Sequence, residues 1–502
     1  MKFKEIKISP HFVILILFSL YIFFPTNNST IDAYGYAAGI KYGNELFNPH
    51  HLFYSATGYL LFNFLQWLGF SLDTLEVMKV LNASFATFSL LIFKNILEVN
   101  NINKKELTSW IIIAGTSFGF WRFATENETY IIPIAFSLLG SLYFLKSLKK
   151  HKTNFLLAGF FSALACLYHQ IHFFWWFGLF IGILIYSKKI KNIFWYLLPV
   201  LIVFLSYALI IVFYNKQQLS FSNIIHFVFL EFFKGGVRTG SGLDNLLFTT
   251  INFIRTFFQA HGLMLFLFKK NILYILPTIV SIILIFFSIF QKNFLRLKKI
   301  KQQTLISKIF IFIFFLQLAF AFYSIGNSEF MVMLPFLAII PLSIFFQFNK
   351  KSLQLIALSL LIWNFSYGIL PNNFIDYSNN KVLISKILEN QNSLFILKED
   401  IQIQNEIYYK TGIEDIANVL KSPSETKIKN RSLIKLDNSI QDHLKNNKKV
   451  YTDCLNENNV INRACLIKNN TNKQFFIKYN LTAVDSFKTL FNSKYLFEIK
   501  NN

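Results

Sequence analysis

The feature that most constrains this chain is a run of apolar stretches, each long enough to cross a bilayer, separated by short polar loops. A membrane-spanning helix needs roughly 20 mostly apolar residues, about 17–25 in practice. Such stretches fall near residues 8–25, 74–97, 107–123, 129–148, 153–168, 171–187, 193–213, 271–290, 305–324, 329–347 and 352–370, which predicts about 11 transmembrane helices. Composition agrees: of 502 residues, 54% are hydrophobic and only 15% are charged, against roughly 25% charged in an average soluble domain. A single soluble globule would carry more apolar side chain than it could bury, and the same excess excludes intrinsic disorder. Three cysteines are too few for a disulfide-rich secreted scaffold. The net charge of +23 does not mark a nucleic-acid partner, because the cations lie between apolar stretches and not on one soluble face.

The first stretch follows Lys2, Lys4 and Lys7 as in a signal peptide, but Phe23, Phe24 and Pro25 occupy the place of a small-residue cleavage site. It reads as an uncleaved first helix. Lys and Arg in short loops set orientation. Lys104/Lys105, Lys146/Lys149/Lys150/Lys152, Lys188/Lys189/Lys191, Lys292/Arg296/Lys298/Lys299/Lys301 and Lys350/Lys351 alternate correctly if all are cytoplasmic. Residues 245–268 are apolar enough for a twelfth span, but that would put the basic 292–301 loop outside, so they read as a juxtamembrane or re-entrant helix on the outer face. After Pro371 the chain turns polar. The organisation expected is a transmembrane domain over 1–370 and a small soluble α/β domain over 371–502, with strands near 393–398, 449–452 and 495–499 and helices near 401–412 and 434–446. An odd span count places that domain outside the cytoplasm, in a multi-pass protein of the inner (plasma) membrane with no internal repeat of the transporter kind.

Ionisable residues gather at the outer ends of the stretches. Asp32 lies just beyond the first helix, with Tyr34 near it and Pro49, His50 and His51 later in the same loop. It either caps a helix starting near residue 33 or does chemistry. Arg122, Glu126, Glu128 and Tyr130 crowd a short connection, either as snorkelling charges at a helix–helix turn or as the wall of a polar cavity. His169 and His172 match His50 and His51 at the same depth. Four histidines could hold a divalent metal, but their spacings in separate loops give it no support, and no cofactor is expected to be required. Lys234 and Arg238 sit among Gly235, Gly236, Gly240 and Gly242, which suits an anion at exposed backbone N–H groups, or else a gating loop. The phosphate-loop spacing is absent. Arg255 lies downstream on the same side, and Glu329 opens another outer turn. Cys454 and Cys465 fall in the soluble domain, where a disulfide would persist, or they are two free thiols.

Several of these residues carry a family resemblance. The chain resembles the GT-C-fold membrane glycosyltransferases, the superfamily of protein O-mannosyltransferases and bacterial lipid A aminoarabinose transferases. The likeness rests on an acid after the first helix (Asp32), a Pro-His motif in a long first loop (Pro49-His50-His51) and a Glu-x-Tyr turn (Glu128, Tyr130). An outer acid before a Leu-Pro helix (Glu329, Leu334, Pro335) and a C-terminal soluble domain complete it. The resemblance covers roughly residues 1–370 and lacks the paired acids that some relatives carry in the first loop. It implies sugar transfer from a polyprenyl-phosphate donor at the outer face to a lipid-linked glycan, lipid A or a protein. Asp32 would act as base, the phosphate would be met by Lys234, Arg238, Arg122 or Arg255, and Tyr34, the four histidines, Glu126, Glu128, Tyr130 and Glu329 would line the cavity. An O-antigen polymerase or ligase is one rival. A transporter or flippase of lipid-linked glycans is another, although it would place its ionisable residues near the bilayer midplane.

Overall fold

The computed structural model describes residues 9–150, 154–187, 189–233, 239–260, 262–292, 294–297, 304–414, 416–428, 433–456, 471–490 and 493–501. It divides into two compact units. One comprises Met1–Thr26, Glu45–Ala260 and Leu273–Pro371, the other Asn27–Asn44, His261–Ile272 and Asn372–Asn502.

The first unit is helical. Eight helical stretches among the described residues are long and apolar enough to span a membrane: Thr74–Val99, Ile131–Leu148, Gln170–Ser187, Ile190–Tyr214, Ile272–Ile289, Leu305–Tyr323, Ser328–Phe345 and Lys350–Phe374. Two further apolar helices, Pro10–Phe23 and Phe155–Tyr168, have 14 residues each. At 1.5 Å per residue each is about 21 Å long, shorter than the roughly 30 Å hydrocarbon core. The stretch expected at 107–123 is not one helix. It stops at Ser117, where ψ turns to 129°, so that Lys104–Thr116 and Phe118–Ala124 are separate. The Ser117 hydroxyl donates to the Ile113 carbonyl at 2.7 Å, a local bond that competes with the helical ladder. The 245–268 region forms two short helices, Leu243–Phe257 in this unit and Gly262–Lys270 in the second, and neither is long enough to cross.

Burial sorts these helices. Ile131–Leu148 is 72% buried, while Ile272–Ile289 is 11% buried and exposes Ile282, Phe286 and Phe287. Such an apolar surface needs no protein partner where lipid is the solvent. Close crossings use small residues. A Cβ on Gly159 would lie 2.1 Å from the Tyr196 carbonyl oxygen, so the helix Phe155–Tyr168 can approach Ile190–Leu197 only with glycine there. A short antiparallel pair joins β1 (Leu295–Leu297) to β2 (Phe346–Phe348).

The second unit holds a five-stranded mixed sheet in the order β4-β3-β5-β7-β6, with β3 Leu394–Leu397, β4 Val419–Lys421, β5 Val450–Thr452, β6 Tyr479–Lys488 and β7 Ser493–Asn501. β3 pairs parallel with β4 and β5, while β7 pairs antiparallel with β5 and β6. Strand periodicity divides β3 between two cores. Phe395 and Leu397 pack with Leu383, Ile403 and Ile407, while Leu394 and Ile396 pack with Leu436 and Ile440. All four β3 residues are buried, as befits a central strand. β3, β5 and β7 fall where strands were expected, and the helices Asp400–Thr411 and Leu433–Lys445 match the expected 401–412 and 434–446. β4 and β6 were not foreseen.

Candidate active site

Asp32 belongs to the second unit. Its helix, Ile31–Tyr42, is capped by Thr30, whose Oγ1 accepts from the Ala33 N–H at 3.1 Å. The capping reading of Asp32 is therefore replaced. Asp32 lies in the first turn, exposed to solvent, where a carboxylate is favoured by the helix's positive end. This helix packs along Asp400–Thr411. Asn405 Nδ2 donates to the Ile31 carbonyl at 2.9 Å, and a Cβ on Gly35 would meet that amide at 3.1 Å. Lys41 Nζ donates to the Tyr409 carbonyl at 3.1 Å, the Tyr34 and Tyr409 rings lie 5.8 Å apart, and Tyr42 stacks on Tyr408 at 5.6 Å. Asn28 Nδ2 donates to the carbonyls of Asn372 and Ile375. The loop expected to carry the base is thus built into the same unit as the C-terminal sheet.

In the first unit, the short connection at 125–130 is pinned by a residue that the sequence reading passed over. Asn82, fully buried in Thr74–Val99, donates through Nδ2 to the carbonyls of Glu126 and Glu128, both at 2.7 Å. Tyr54 donates to Asn127 Oδ1 at 2.8 Å, and Lys79 Nζ donates to the Thr26 carbonyl at 2.8 Å. Glu126 Oε1 accepts from the Asn127 N–H at 2.9 Å. Glu126 and Glu128 are both buried. A signal for Asn82 did exist in the sequence: Lys79 and Asn82, three residues apart on one helix face, interrupt an apolar stretch at membrane depth.

Several of the residues expected to line a cavity come together in the first unit. Tyr130 donates to Glu329 Oε2 at 2.9 Å, and the same oxygen accepts from Asn327 Nδ2 at 3.2 Å. Gly326, at φ 64°, makes this turn possible, since a Cβ there would lie 2.3 Å from the Thr249 nitrogen. The Tyr130 ring lies 5.0 Å from that of His169. His50 and His51 are 4.2 Å apart, and both approach His169, at 6.2 and 6.5 Å. Burial holds the imidazoles of His50, His51 and His169 below the ordinary histidine value, and the His50 charge adds to the shift at the other two. Burial therefore disfavours charge on these rings. They can hydrogen-bond, and they are poorly placed to supply a standing positive charge. His172 is tied to Ser137 Oγ at 2.7 Å. Among the described residues no group of three or more His, Cys, Asp or Glu side chains is arranged to hold a metal ion.

Positive charge comes from elsewhere. Arg122, on Phe118–Ala124, and Arg255, on Leu243–Phe257, sit on helices that meet at Gly119 and Thr256. Arg255 donates to Asn252 Oδ1 at 3.3 Å, and its Nε is buried with no hydrogen-bond partner. Burial, and then the charge of Arg122, push the Arg255 guanidinium down to about 10. Among the described residues neither arginine forms an ion pair. The turn Ser328–Met331, carrying Glu329, packs against both helices. Nearby, Pro49 is held by Gln170 Nε2 at 3.0 Å and by the Tyr207 hydroxyl, and Phe47 lines an apolar groove of about 370 Å³ with Leu209, Ile210, Phe213 and Tyr214.

Lys234 and Arg238, expected at the phosphate, lie outside the described residues, as does Cys465. Cys454 is buried, its thiol donating to the Ile396 carbonyl at 3.4 Å.

No family model matches the chain, and no curated protein matches it. Among solved structures, it is similar to ArnT from Cupriavidus metallidurans in the apo state, at 8% identity and a TM-score of 0.43, covering 97% of this chain and 96% of that one. The same protein bound to undecaprenyl phosphate matches at 8% identity and a TM-score of 0.41, with the same coverage.

Proposed function

We propose that this chain is a membrane glycosyltransferase that moves a sugar from a polyprenyl-phosphate donor to an acceptor hydroxyl by a single inverting displacement. The observation that carries the reading is the Arg122–Arg255 pair. Two guanidiniums on adjoining helices, half-buried and, among the described residues, without an ion-pair partner, offer their N–H groups to an anion. The turn bearing Glu329 lies against both helices. A planar guanidinium matches phosphate oxygens through paired N–H groups. The apolar groove at Phe47 suits the prenyl chain.

In the reaction, the acceptor oxygen attacks C1 of the sugar while the C1–O bond to the lipid phosphate breaks. The bonding pair leaves on the phosphate oxygen, where the arginines meet it, and the acceptor proton goes to a carboxylate base, the role that the family resemblance gives to Asp32. A lipid phosphate is already a good leaving group, so one carboxylate base and fixed cations suffice. A glycosidase, with its poor leaving group, needs two carboxyl groups. The outer face has no nucleotide sugars, which is why the donor arrives on lipid.

The test is transfer from a purified polyprenyl-phosphate sugar. Arg122→Gln and Arg255→Gln should each lower turnover by about 10²–10³, the effect of removing one donor that meets developing charge. Asp32→Asn, which keeps size but cannot take the proton, should abolish transfer. Wild-type turnover in both arginine variants would sink the reading.

A further inference from the structure

At the other end of the helical run that leads to Arg122, three basic loops converge. The helices Lys104–Thr116 and Lys350–Asn364 pack side by side and begin together. Each is capped by an asparagine: Asn103 Oδ1 accepts from the Lys105 N–H at 3.0 Å, and Asn349 Oδ1 accepts from the Lys351 N–H at 2.9 Å. The β1–β2 pair closes over them, with Arg296 opposite Gln347 and Asn349 Nδ2 donating to the Lys292 carbonyl at 3.0 Å. Between these elements lies a cavity of about 240 Å³, lined by Lys105, Arg296 and Lys350 and by one acid, Glu106.

Three cations face one carboxylate there, and Glu106 is the third residue of its helix, where the helix's own positive end favours an acid. Among the described residues, Lys105 and Arg296 form no ion pair. Two helix starts add their partial positive charge to the same volume. Charge bias between loops accounts for the sign of these residues. It does not require them to enclose a cavity.

We propose that this cavity binds a phosphate group, presented by an anionic lipid headgroup or as free phosphate. Basic pockets between helices on the side that the Lys/Arg bias assigns to the cytoplasm hold lipid phosphates in this way. The site is separate from the arginine pair, and its occupancy does not depend on the transferase reading.

The full chain, delipidated in a neutral detergent, is titrated with phosphatidylglycerol, with diacylglycerol as a phosphate-free control, and with inorganic phosphate, and read by native mass spectrometry. Phosphatidylglycerol or inorganic phosphate should bind and diacylglycerol should not. Lys105→Gln and Arg296→Gln should each weaken binding by about fivefold, and the double variant by roughly 25-fold. Lys189→Gln/Lys191→Gln, which removes two exposed charges elsewhere on that side, should leave it unchanged. Binding by the lipid alone assigns the source to the membrane, while displacement of the lipid by inorganic phosphate assigns it to solution. Failure of both ligands to bind, or equal loss in the double variant and the control, overturns the proposal. Both altered side chains are exposed, and an unchanged circular dichroism spectrum shows that the variants are folded.

Discussion

The turn at Glu126–Tyr130 and the Arg122–Arg255 pair lie on adjoining stretches of one unit, yet donors reach the carbonyls of the turn while two like charges are left facing each other at the pair. Around the turn, Asn82, Tyr54 and Tyr130 tie carbonyls, an amide and Glu329 into a network at 2.7–2.9 Å. At the pair, two like charges approach and Arg255 Nε meets nothing. Most buried polar groups have partners, and a buried guanidinium nitrogen without one is costly. On the proposed reading, the difference separates a scaffold, built by the turn, from a receptor, built by the arginines.

The contrast is easiest to break at Asn82. Asn82→Ala would leave the buried Glu126 and Glu128 carbonyls without that donor, at about 1–3 kcal/mol each. A loss of about 3 kcal/mol is expected in the detergent-solubilised chain, read by thermal unfolding; wild-type stability would mean that the turn is held by something else. Next, a polyprenyl phosphate at 100 times its dissociation constant should stabilise the wild type by about 2.7 kcal/mol. Arg255→Gln should show little of this shift, and an equal shift in both would place the phosphate elsewhere. Tyr130→Phe removes one hydrogen bond to a carboxylate and should cost about 1.5–3 kcal/mol at most, with turnover reduced less than in the arginine variants. The smallest effect has the opposite sign. Arg255 titrates lower in the folded chain than unfolded, so its charge destabilises the fold at neutral pH, and this is relieved as pH rises through about 10. Arg255→Gln should therefore be more stable than the wild type at pH 7 without ligand, by under about 1 kcal/mol after solvent screening. That gap should narrow above pH 10. A variant less stable than wild type would show that the arginine is already paired.

Much of this was legible in the chain, and the gaps have physical causes. Apolar length alone located Ile131–Leu148 and Ile272–Ile289, although it says nothing of which one is buried, because hydrocarbon and protein interior ask for the same side chains. The break at Ser117 was hidden, since a serine costs little in an apolar helix until its hydroxyl bonds back to the chain. The approach of His50, His51 and His169 was anticipated from their common depth. Arg122 and Arg255 are joined by no periodicity, and only the crossing at Gly119 and Thr256 unites them. β6 escaped notice because most of its residues face solvent, leaving a weak apolar alternation.

The helix Ile31–Tyr42 has a consequence for biosynthesis. Its packing partners in Asp400–Thr411 lie 374 positions along the chain at the Asn405–Ile31 contact. At about 5–20 residues per second, that is roughly 20–75 s of translation. Over that interval the segment bearing Asp32 is already made and has no surface to rest on. A chain stopped short of residue 400 would insert its helices yet never seat this one, so the carboxylate takes its place only after synthesis is nearly done. Ribosome-bound intermediates probed by proteolysis around residues 27–44 should stay cleavable until the last quarter of the chain has emerged.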